Sequence, residues 1–297
     1  MSKLIDIDFK SLKVSTKTFC AKTNLTLNIE KVAELLPIFP IPSGTSKKKI
    51  ENLDIPEGSI ICTNYLGKIR GISFKKKKSK RWFRNSFSVI IWNGQKLLNF
   101  KVCRNGTFQI TGALNFEDAE LCIKRIWEII RERKEAWTLP SETCEVRGYI
   151  VPAMRNVDFT LPIKINREGF NAFIEKTREN YFCLLETSFG YTGLNVKKKI
   201  TKPIETLKIK KIWTDRMSVK WNAATGTYAE FLDLLPEKER KQKMEHSRYN
   251  TFLVFHSGKI IQSGLSFDFM KNDFEEFQDI INEAYEKNSI QENLINF

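Results

Sequence analysis

The stretch TFLVFHSGKIIQSG at residues 251–264 carries a short turn at Ser257-Gly258 between two runs of strand-forming residues. The stretch NGTFQITG at residues 105–112 has the layout of SGKIIQSG, because a two-residue turn leads into a strand that closes on a hydroxyl residue and a glycine. Asn-Gly is a strong hairpin signal. The recurrence predicts an internal repeat, which constrains the architecture more than one short motif does.

An amphipathic helix is predicted after each of these strands. FEDAELCIKRIWEIIRERKEA, residues 116–136, places apolar residues mostly at helical spacing and opens with acidic residues that suit a helix N-terminus. FMKNDFEEFQDIINEAYEK, residues 269–287, repeats this layout. Equivalent helices are therefore expected to close both halves of the chain.

The beginnings of the two halves also match. Residues 13–36 and residues 154–176 each have the pattern of a strand followed by a helix. In addition, IRGISFKKK at residues 69–77 is echoed by YTGLNVKKK at residues 191–199. Each half is therefore predicted to contain a strand, a helix, several antiparallel strands and a long helix.

These patterns predict an α+β fold built from two pseudo-symmetric repeats. The first repeat covers residues 1–140 and carries a lysine-rich insertion, and the second covers residues 141–297 with an insertion near residues 200–248. TLPSETC, residues 138–144, breaks the chain between them.

Within the first repeat, residues 85–112 form the clearest strand meander, with turn signals at Asn93-Gly94 and Asn105-Gly106. Alternation places Phe87, Val89 and Ile91 on one face of the sheet and Ser88, Ile90 and Trp92 on the other. Because both faces carry apolar residues, the face away from the helices is expected to have a partner too.

Composition narrows the range of functions. The 297 residues are 41% hydrophobic and 28% charged, and no stretch approaches the ~20 apolar residues that a membrane span needs. The start, MSKLIDIDFK, lacks an apolar signal core, so we expect the chain to stay inside the cell. Six cysteines without a CxxC pair and two histidines give no metal-site pattern and little support for a nucleophile with a histidine base. No cofactor is predicted.

The net charge of +14 favours a polyanionic partner, and nucleic acid is the first interpretation. A lysine-rich composition inherited from an AT-rich genome is the alternative, and composition leaves both open.

The repeated motifs resemble the TATA-box-binding protein family, of which this chain looks like a divergent member. The segment at residues 251–264 is similar to the family signature of aliphatics, Phe, a small residue, Ser-Gly-Lys, aliphatics and Thr-Gly. NVDFTLPIKINREGF, residues 156–170, resembles the opening of the family's second repeat, and KVCRNGTFQITGALNFEDAE, residues 101–120, resembles the matching segment of the first. The insertions at residues 75–84 and 200–248 depart from the family.

This resemblance implies a curved antiparallel sheet, or saddle, with helices on its convex face. The concave face would lie along the minor groove of double-stranded DNA, where apolar wedges kink the duplex. It also implies a transcription initiation factor rather than an enzyme, with a general transcription factor of the IIB type and RNA polymerase as partners. The divergence and the AT-rich composition suggest a large DNA virus, so the host nucleus or a cytoplasmic viral factory is the expected location, with packaging in the virion as a further option.

Site residues carried over from the family fall into wedges, base-edge hydroxyls and cations. Phe255 occupies a wedge position, and Tyr191, or Phe189 in an adjacent register, would be its partner. In the first half the position equivalent to Phe255 is Cys103, which is too small to wedge well, and its partner would be Phe87 or Ile69. The remaining members are hydroxyls that touch base edges, Thr111 and Ser263; a lysine near phosphates, Lys259; and lysines of the repeated runs that are expected at phosphates, Lys76, Lys77 and Lys198.

Other positions depart from the family pattern. The family's asparagines in the first strand of each repeat are replaced by Leu12 and Pro152, which cannot donate a side-chain hydrogen bond.

Two further hypotheses follow. The chain could be a scaffold of this fold that binds transcription proteins without inserting into DNA, and residues 229–249 could be an amphipathic helix with a charged end that docks another transcription protein. An enzyme is disfavoured because we find no catalytic or metal-binding carboxylate pattern.

Overall fold

The computed structural model describes residues 3–42, 44–74, 83–140, 143–185 and 193–291. The helices in these ranges are α1 Ile29–Leu35, α2 Lys47–Ile50, α3 Phe116–Ile130, α4 Arg167–Thr177, α5 Tyr228–Leu232, α6 Glu237–Glu245 and α7 Phe267–Glu286. The strands are β1 Val14–Thr23, β2 Thr26–Leu27, β3 Ile60–Tyr65, β4 Lys68–Gly71, β5 Ser86–Trp92, β6 Leu97–Cys103, β7 Thr107–Thr111, β8 Trp137–Thr138, β9 Glu145–Thr160, β10 Tyr181–Leu185, β11 Gly193–Lys199, β12 Lys208–Asp215, β13 Asn222–Thr227, β14 Tyr249–Phe255 and β15 Lys259–Gly264.

The same order of elements occurs in both halves, and the predicted α+β class is confirmed. β1 leads to α1 as β9 leads to α4, and the hairpin β6–β7 leads to α3 as β14–β15 leads to α7. The first helix of each half begins in the same way, because Asn28 and Asn166 accept hydrogen bonds from the backbone N–H groups of Lys31 and Gly169. An asparagine at this position satisfies a donor that the helix itself leaves unpaired.

The two hairpin turns explain why glycine occurs at the same place in each half. Gly106 and Gly258 have positive φ values of 73° and 86°. The carbonyl of Gly106 accepts from the Thr23 N–H at 2.9 Å, and that of Gly258 accepts from the Leu161 N–H at 2.9 Å. A Cβ at Gly106 would lie 2.2 Å from the oxygen of Leu25, so no larger residue fits there. The turn of each hairpin is therefore hydrogen-bonded to the chain where the first strand of its own half ends.

The chain divides into two compact units. Unit 1 contains residues 1–16, 153–207 and 232–297, and unit 2 contains residues 17–152 and 208–231. The units therefore differ from the halves of the sequence, because the hairpin β12–β13 of the second insertion belongs to unit 2. There β12 pairs antiparallel with the first residues of β9, Lys210 lying opposite Ile150.

Unit 1 contains an antiparallel sheet in the order β10-β11-β14-β15-β9. One face of this sheet packs against α4 and α7. Phe252 of β14 stacks on Phe277 of α7 with ring centroids 3.9 Å apart. Alternate sheet residues share this fully buried core: Val157, Leu194, Val196, Val254 and Ile260.

Unit 2 contains an antiparallel sheet in the order β4-β3-β5-β6-β7-β1, and α1 and α3 pack against one of its faces. The predicted alternation in β5 is confirmed, since Phe87, Val89 and Ile91 lie in this core.

A second, smaller cluster lies on the other face of β5, as expected for a strand with two apolar faces. Here Ile61, Ile90 and Trp92 pack with residues from the chain between α1 and β3 and from the segment after β4: Phe39, Ile41, Ile50, Leu53, Ile55 and Phe74. The partner of this part of the sheet is therefore the chain itself.

The predicted single helix within residues 229–249 is two short helices, α5 and α6. No residue of α6 is buried.

Candidate nucleic-acid interface

The sheet of unit 1 has a face that points away from α4 and α7, which we call the unit 1 open face. Strand residues alternate between the two faces, so this face is defined by the residues next to the buried ones. They are Phe182 and Leu184 of β10, Asn195, Lys197 and Lys199 of β11, Tyr249, Thr251, Leu253 and Phe255 of β14, Lys259, Ile261 and Ser263 of β15, and Asn156 and Asp158 of β9.

The unit 1 open face has an apolar centre with cations beside it. Leu253 lies opposite Ile261 on one side and Asn195 on the other. Phe182 and Leu184 remain 57% and 49% exposed, although apolar residues at sheet positions usually have a packing partner. In the described ranges, none of these apolar residues belongs to a buried hydrophobic cluster. The face is therefore a partly apolar surface, exposed at β10 and half-buried in β14 and β15.

Phe255 ends β14 on this open face and lies opposite Gly193, so its ring has no neighbouring side chain at that position of β11. Ser263 lies opposite both Thr251 and Asn156, forming a polar row across three strands. The predicted roles of Phe255 and Ser263 in DNA contact remain predictions, and their positions suit those roles.

Lys259 begins β15, at the same end of the hairpin β14–β15 as Phe255, and its side chain is 48% exposed. Its Nζ is 3.3 Å from the Asp158 carboxylate, which also accepts a 2.7 Å hydrogen bond from the Ser15 hydroxyl. A phosphate at this place would have to compete with Asp158 for the lysine. An exposed ion pair of this kind contributes little, about 0–1 kcal/mol, so the competition is weak.

The lysine run of β11 is divided between the two faces of the sheet. Lys197 and Lys199 lie on the unit 1 open face, whereas Lys198 points toward α7, where its Nζ is 2.9 Å from Asp273 and also pairs with Glu276. Burial lowers the pKa of Lys198, but the hydrogen bonds to Glu276 and Asp273 outweigh it and hold the pKa above its ordinary value. The prediction that Lys198 contacts phosphate is therefore wrong, because its charge is already paired on the helix side.

The corresponding face of unit 2, the unit 2 open face, is polar. It is formed by Thr18, Cys20 and Lys22 of β1, Thr107, Gln109 and Thr111 of β7, Asn99, Lys101 and Cys103 of β6, and Ser86 and Ser88 of β5. Thr111 is exposed and lies opposite Thr18 and Asn99. Burial raises the pKa of the Cys103 thiol above its ordinary value, and the charges of Lys101 and Lys22 offset part of this effect.

The predicted wedge role of Phe87 is wrong, since this side chain is only 2% exposed and packs in the core under α3. Its alternative Ile69, on β4, is 41% exposed. The structure adds Phe83 as a further candidate for the wedge role. Phe83 is 72% exposed, and the Lys101 Nζ lies 5.0 Å from its ring centroid. Phe83 precedes β5, outside the alternation that places Phe87 in the core, so strand periodicity gave no signal for it.

Four of the predicted site residues, Lys76, Lys77, Phe189 and Tyr191, lie outside the described residues. Leu12 is partly buried against the core of unit 1, and Pro152 is partly buried in β9. Two asparagines that the sequence reasoning missed, Asn156 and Asn195, lie on the unit 1 open face instead. The side-chain oxygen of each is buried and has no hydrogen-bond partner. Counting alternate residues back from Asp158 would have placed Asn156 on this face.

A grouping of three or more potential metal ligands does not occur among the residues that the structure describes. Likewise, every described helix is too short or too polar to cross a membrane.

Comparisons with known proteins give distant similarities, and no family model matches the chain. An uncharacterized protein, 335L, of Invertebrate iridescent virus 6 is 25% identical over 289 residues, covering 92% of this chain and 84% of the viral protein. Among solved structures, the Methanococcus jannaschii TBP aligns with 92% of this chain and 98% of its own, with a TM-score of 0.45 and 15% identity.

Proposed function

We propose that this protein binds double-stranded DNA with the unit 1 open face against the minor groove, bends the duplex, and acts in transcription initiation. The observation that carries the proposal is the apolar character of that face, on which half-buried Phe255 and Leu253 lie next to Lys197, Lys199 and Lys259. A sheet face that contacts only solvent normally carries polar residues instead.

This combination of side chains suits the minor groove physically. The walls of the groove are sugars, which apolar side chains can contact, and an aromatic side chain can enter between base steps at an unstacking cost of a few kcal/mol. Lysines at the edge neutralise phosphates and release counterions. Both contributions are needed, because the charge draws the duplex to the face and the apolar contact offsets the cost of bending it.

Amide and hydroxyl groups on the unit 1 open face could add a limited base preference. The minor groove shows only acceptors at A·T pairs, whereas G·C pairs add a donor. Asn156 and Asn195 can donate from their amides, and Thr251 and Ser263 from their hydroxyls. We therefore expect a preference for A·T-rich DNA rather than for one defined sequence.

The motifs that resemble the TATA-box-binding protein family support the transcriptional part of the proposal. In this role the protein, once on promoter DNA, would recruit a general factor of the IIB type and RNA polymerase. Within the docking segment predicted at residues 229–249, the exposed helix α6 is the candidate element that binds such a protein.

The test is DNA bending in a fluorescence-transfer assay, together with duplex affinity measured against salt concentration. Wild-type affinity should fall steeply with salt. Phe255→Ala should weaken binding about tenfold and reduce bending, because base–aromatic contacts contribute about 1–3 kcal/mol each. Leu234→Ala removes an exposed apolar side chain that is not on the sheet and is the matched control. Absence of salt-dependent duplex binding by the wild type would refute the proposal.

A scaffold that binds transcription proteins without inserting into DNA is the second candidate. Unit 2 favours it, since its open face is polar, has Cys103 at the position that corresponds to Phe255, and is covered at one end by the chain's own apolar cluster. In that case DNA would not be bent, and the apolar centre of unit 1 would bind a protein.

A further inference from the structure

A groove of about 340 Å³ lies on unit 1 where β14 begins and β15 ends. Its polar lining comes from two sources: Lys197, Thr251 and Ser263 belong to the unit 1 open face, whereas His246, Ser247 and Arg248 belong to the segment that precedes β14. This segment is the end of the second insertion. The insertion therefore supplies one wall of a groove whose other wall is the sheet.

This groove is lined by basic side chains and by no carboxylate. All its lining residues are described, and none of them is Asp or Glu. Two other grooves differ, because Glu205 and Glu245 line one that also borders residues 246–248, and Glu145 lines another in unit 2. A groove with basic groups and hydroxyls but no carboxylate is electrostatically suited to an anion.

The position of Lys197 follows from the alternation of β11. Lys198 faces the helices and is paired with Asp273 and Glu276, but Lys197 forms no ion pair within the part of the chain that the structure describes. It is partly buried, so its charge is less screened than that of a fully exposed lysine. A charge in this position gains more from an anionic ligand than an already paired charge does.

The wall formed by the insertion is held in place by backbone pairing. The Ile200 N–H donates to the Arg248 carbonyl at 2.9 Å, which extends the pairing between β11 and β14. Arg248 also donates from Nη1 to the His246 carbonyl at 3.2 Å, so its guanidinium is oriented beside the groove. Thr251 and Ser263 lie opposite one another on the floor. The basic and hydroxyl groups are thus presented from ordered elements.

We propose that this groove binds a phosphate group of the nucleic-acid backbone, with Lys197 and Arg248 as the charged contacts and the hydroxyls of Thr251 and Ser263 as further donors. The proposal rests on the proposed function, because the groove opens onto the face that would meet DNA. The volume exceeds that of a phosphate, so an adjoining sugar would enter with it, next to Tyr249. A ring contact between Tyr249 and Phe182, with centroids 6.1 Å apart, provides an aromatic edge there.

The experiment compares the salt dependence of duplex binding for wild type, Lys197→Ala and Arg248→Ala. Each lost phosphate contact should lower the slope of log K against log salt by ~0.9. Lys176→Ala removes a positive charge from the exposed surface of α4 and should leave the slope unchanged. Thermal unfolding of each variant shows whether it is folded, and Lys197→Ala is the less disruptive of the two because Arg248→Ala also removes the hydrogen bond from Nη1 to the His246 carbonyl.

A second arm separates backbone phosphate from free phosphate. Inorganic phosphate and chloride are compared at equal ionic strength as competitors of DNA. If wild type binds duplex and both variants keep its slope, the phosphate groove is refuted while the proposed function stands. If inorganic phosphate at millimolar concentration competes well beyond chloride and the variants lose this effect without a change of slope, the groove takes free phosphate, which also overturns the backbone assignment. If wild type does not bind duplex, the proposed function itself fails.

Discussion

The two open faces of this protein differ far more than the strand layouts that support them. Both sheets are antiparallel, both pack an alternating apolar row against a long helix, and both turn at a glycine with positive φ between the last two strands. Away from the helices, unit 1 has Phe182, Leu184 and Phe255 beside lysines, whereas unit 2 has hydroxyls, amides and Cys103. Packing constrains only the helix side of each sheet. The open sides can therefore diverge without loss of the fold.

The largest expected effect comes from comparing the two faces of a single strand. Phe252→Ala should lower the free energy of unfolding by about 3–5 kcal/mol, because Phe252 is fully buried and stacks on Phe277. Its neighbour Leu253 lies on the open face, and Leu253→Ala should cost less than about 1 kcal/mol. Urea denaturation of both variants measures this difference. Equal costs would mean that the open face of unit 1 is packed against another part of the protein, and the contrast between the faces would be lost.

The next largest effect is expected from a substitution in the apolar cluster of Ile50, Ile61 and Trp92, which covers one end of the unit 2 sheet. Ile50 is fully buried and packs with Ile61 and Trp92, so Ile50→Ala should cost about 2–3 kcal/mol, near the lower limit for large-to-small changes because the cluster is small. Hydrogen exchange should also become faster in residues 50–61 while β14 and β15 are unaffected. An exposed lysine of the same short helix provides the control, Lys48→Ala, for which no loss is expected. If Ile50→Ala has no effect on stability, the cover is dispensable and unit 2 could present a longer open face.

Local patterns in the sequence predicted the elements of this fold. Periodicity, turn residues and acidic residues at helix starts act over a few positions, so the strand and helix that begin each half, the two glycine hairpins and the long helices α3 and α7 could all be recognised. The faces of β5 could be assigned for the same reason. Phe87 was then given a wedge role that its own alternation with Val89 and Ile91 contradicts.

Contacts between distant parts of the chain could not be predicted in this way. Nothing in residues 200–248 indicates that β12 pairs with the first part of β9, because the choice of a distant strand depends on the three-dimensional packing. The apolar cover that includes Phe39, Ile50 and Ile55 is a further example. For the candidate site, the position of Lys198 could have been inferred, since it shares a face with Leu194 and Val196, but its partners on α7 depend on tertiary structure.

The smallest effect is expected from a substitution that makes the unit 2 open face resemble the unit 1 open face. Cys103 ends β6 three residues before Gly106, as Phe255 ends β14 three residues before Gly258, so Cys103→Phe places an aromatic ring at the corresponding point. If the unit 2 open face meets DNA, this ring should raise duplex affinity about three- to tenfold, or about 0.7–1.4 kcal/mol, and increase bending. Cys103→Ser removes the thiol without adding a ring and should leave both unchanged. Fluorescence anisotropy and energy transfer on one labelled duplex measure the two quantities together. Unchanged affinity and bending in a folded Cys103→Phe protein would show that DNA does not reach this position.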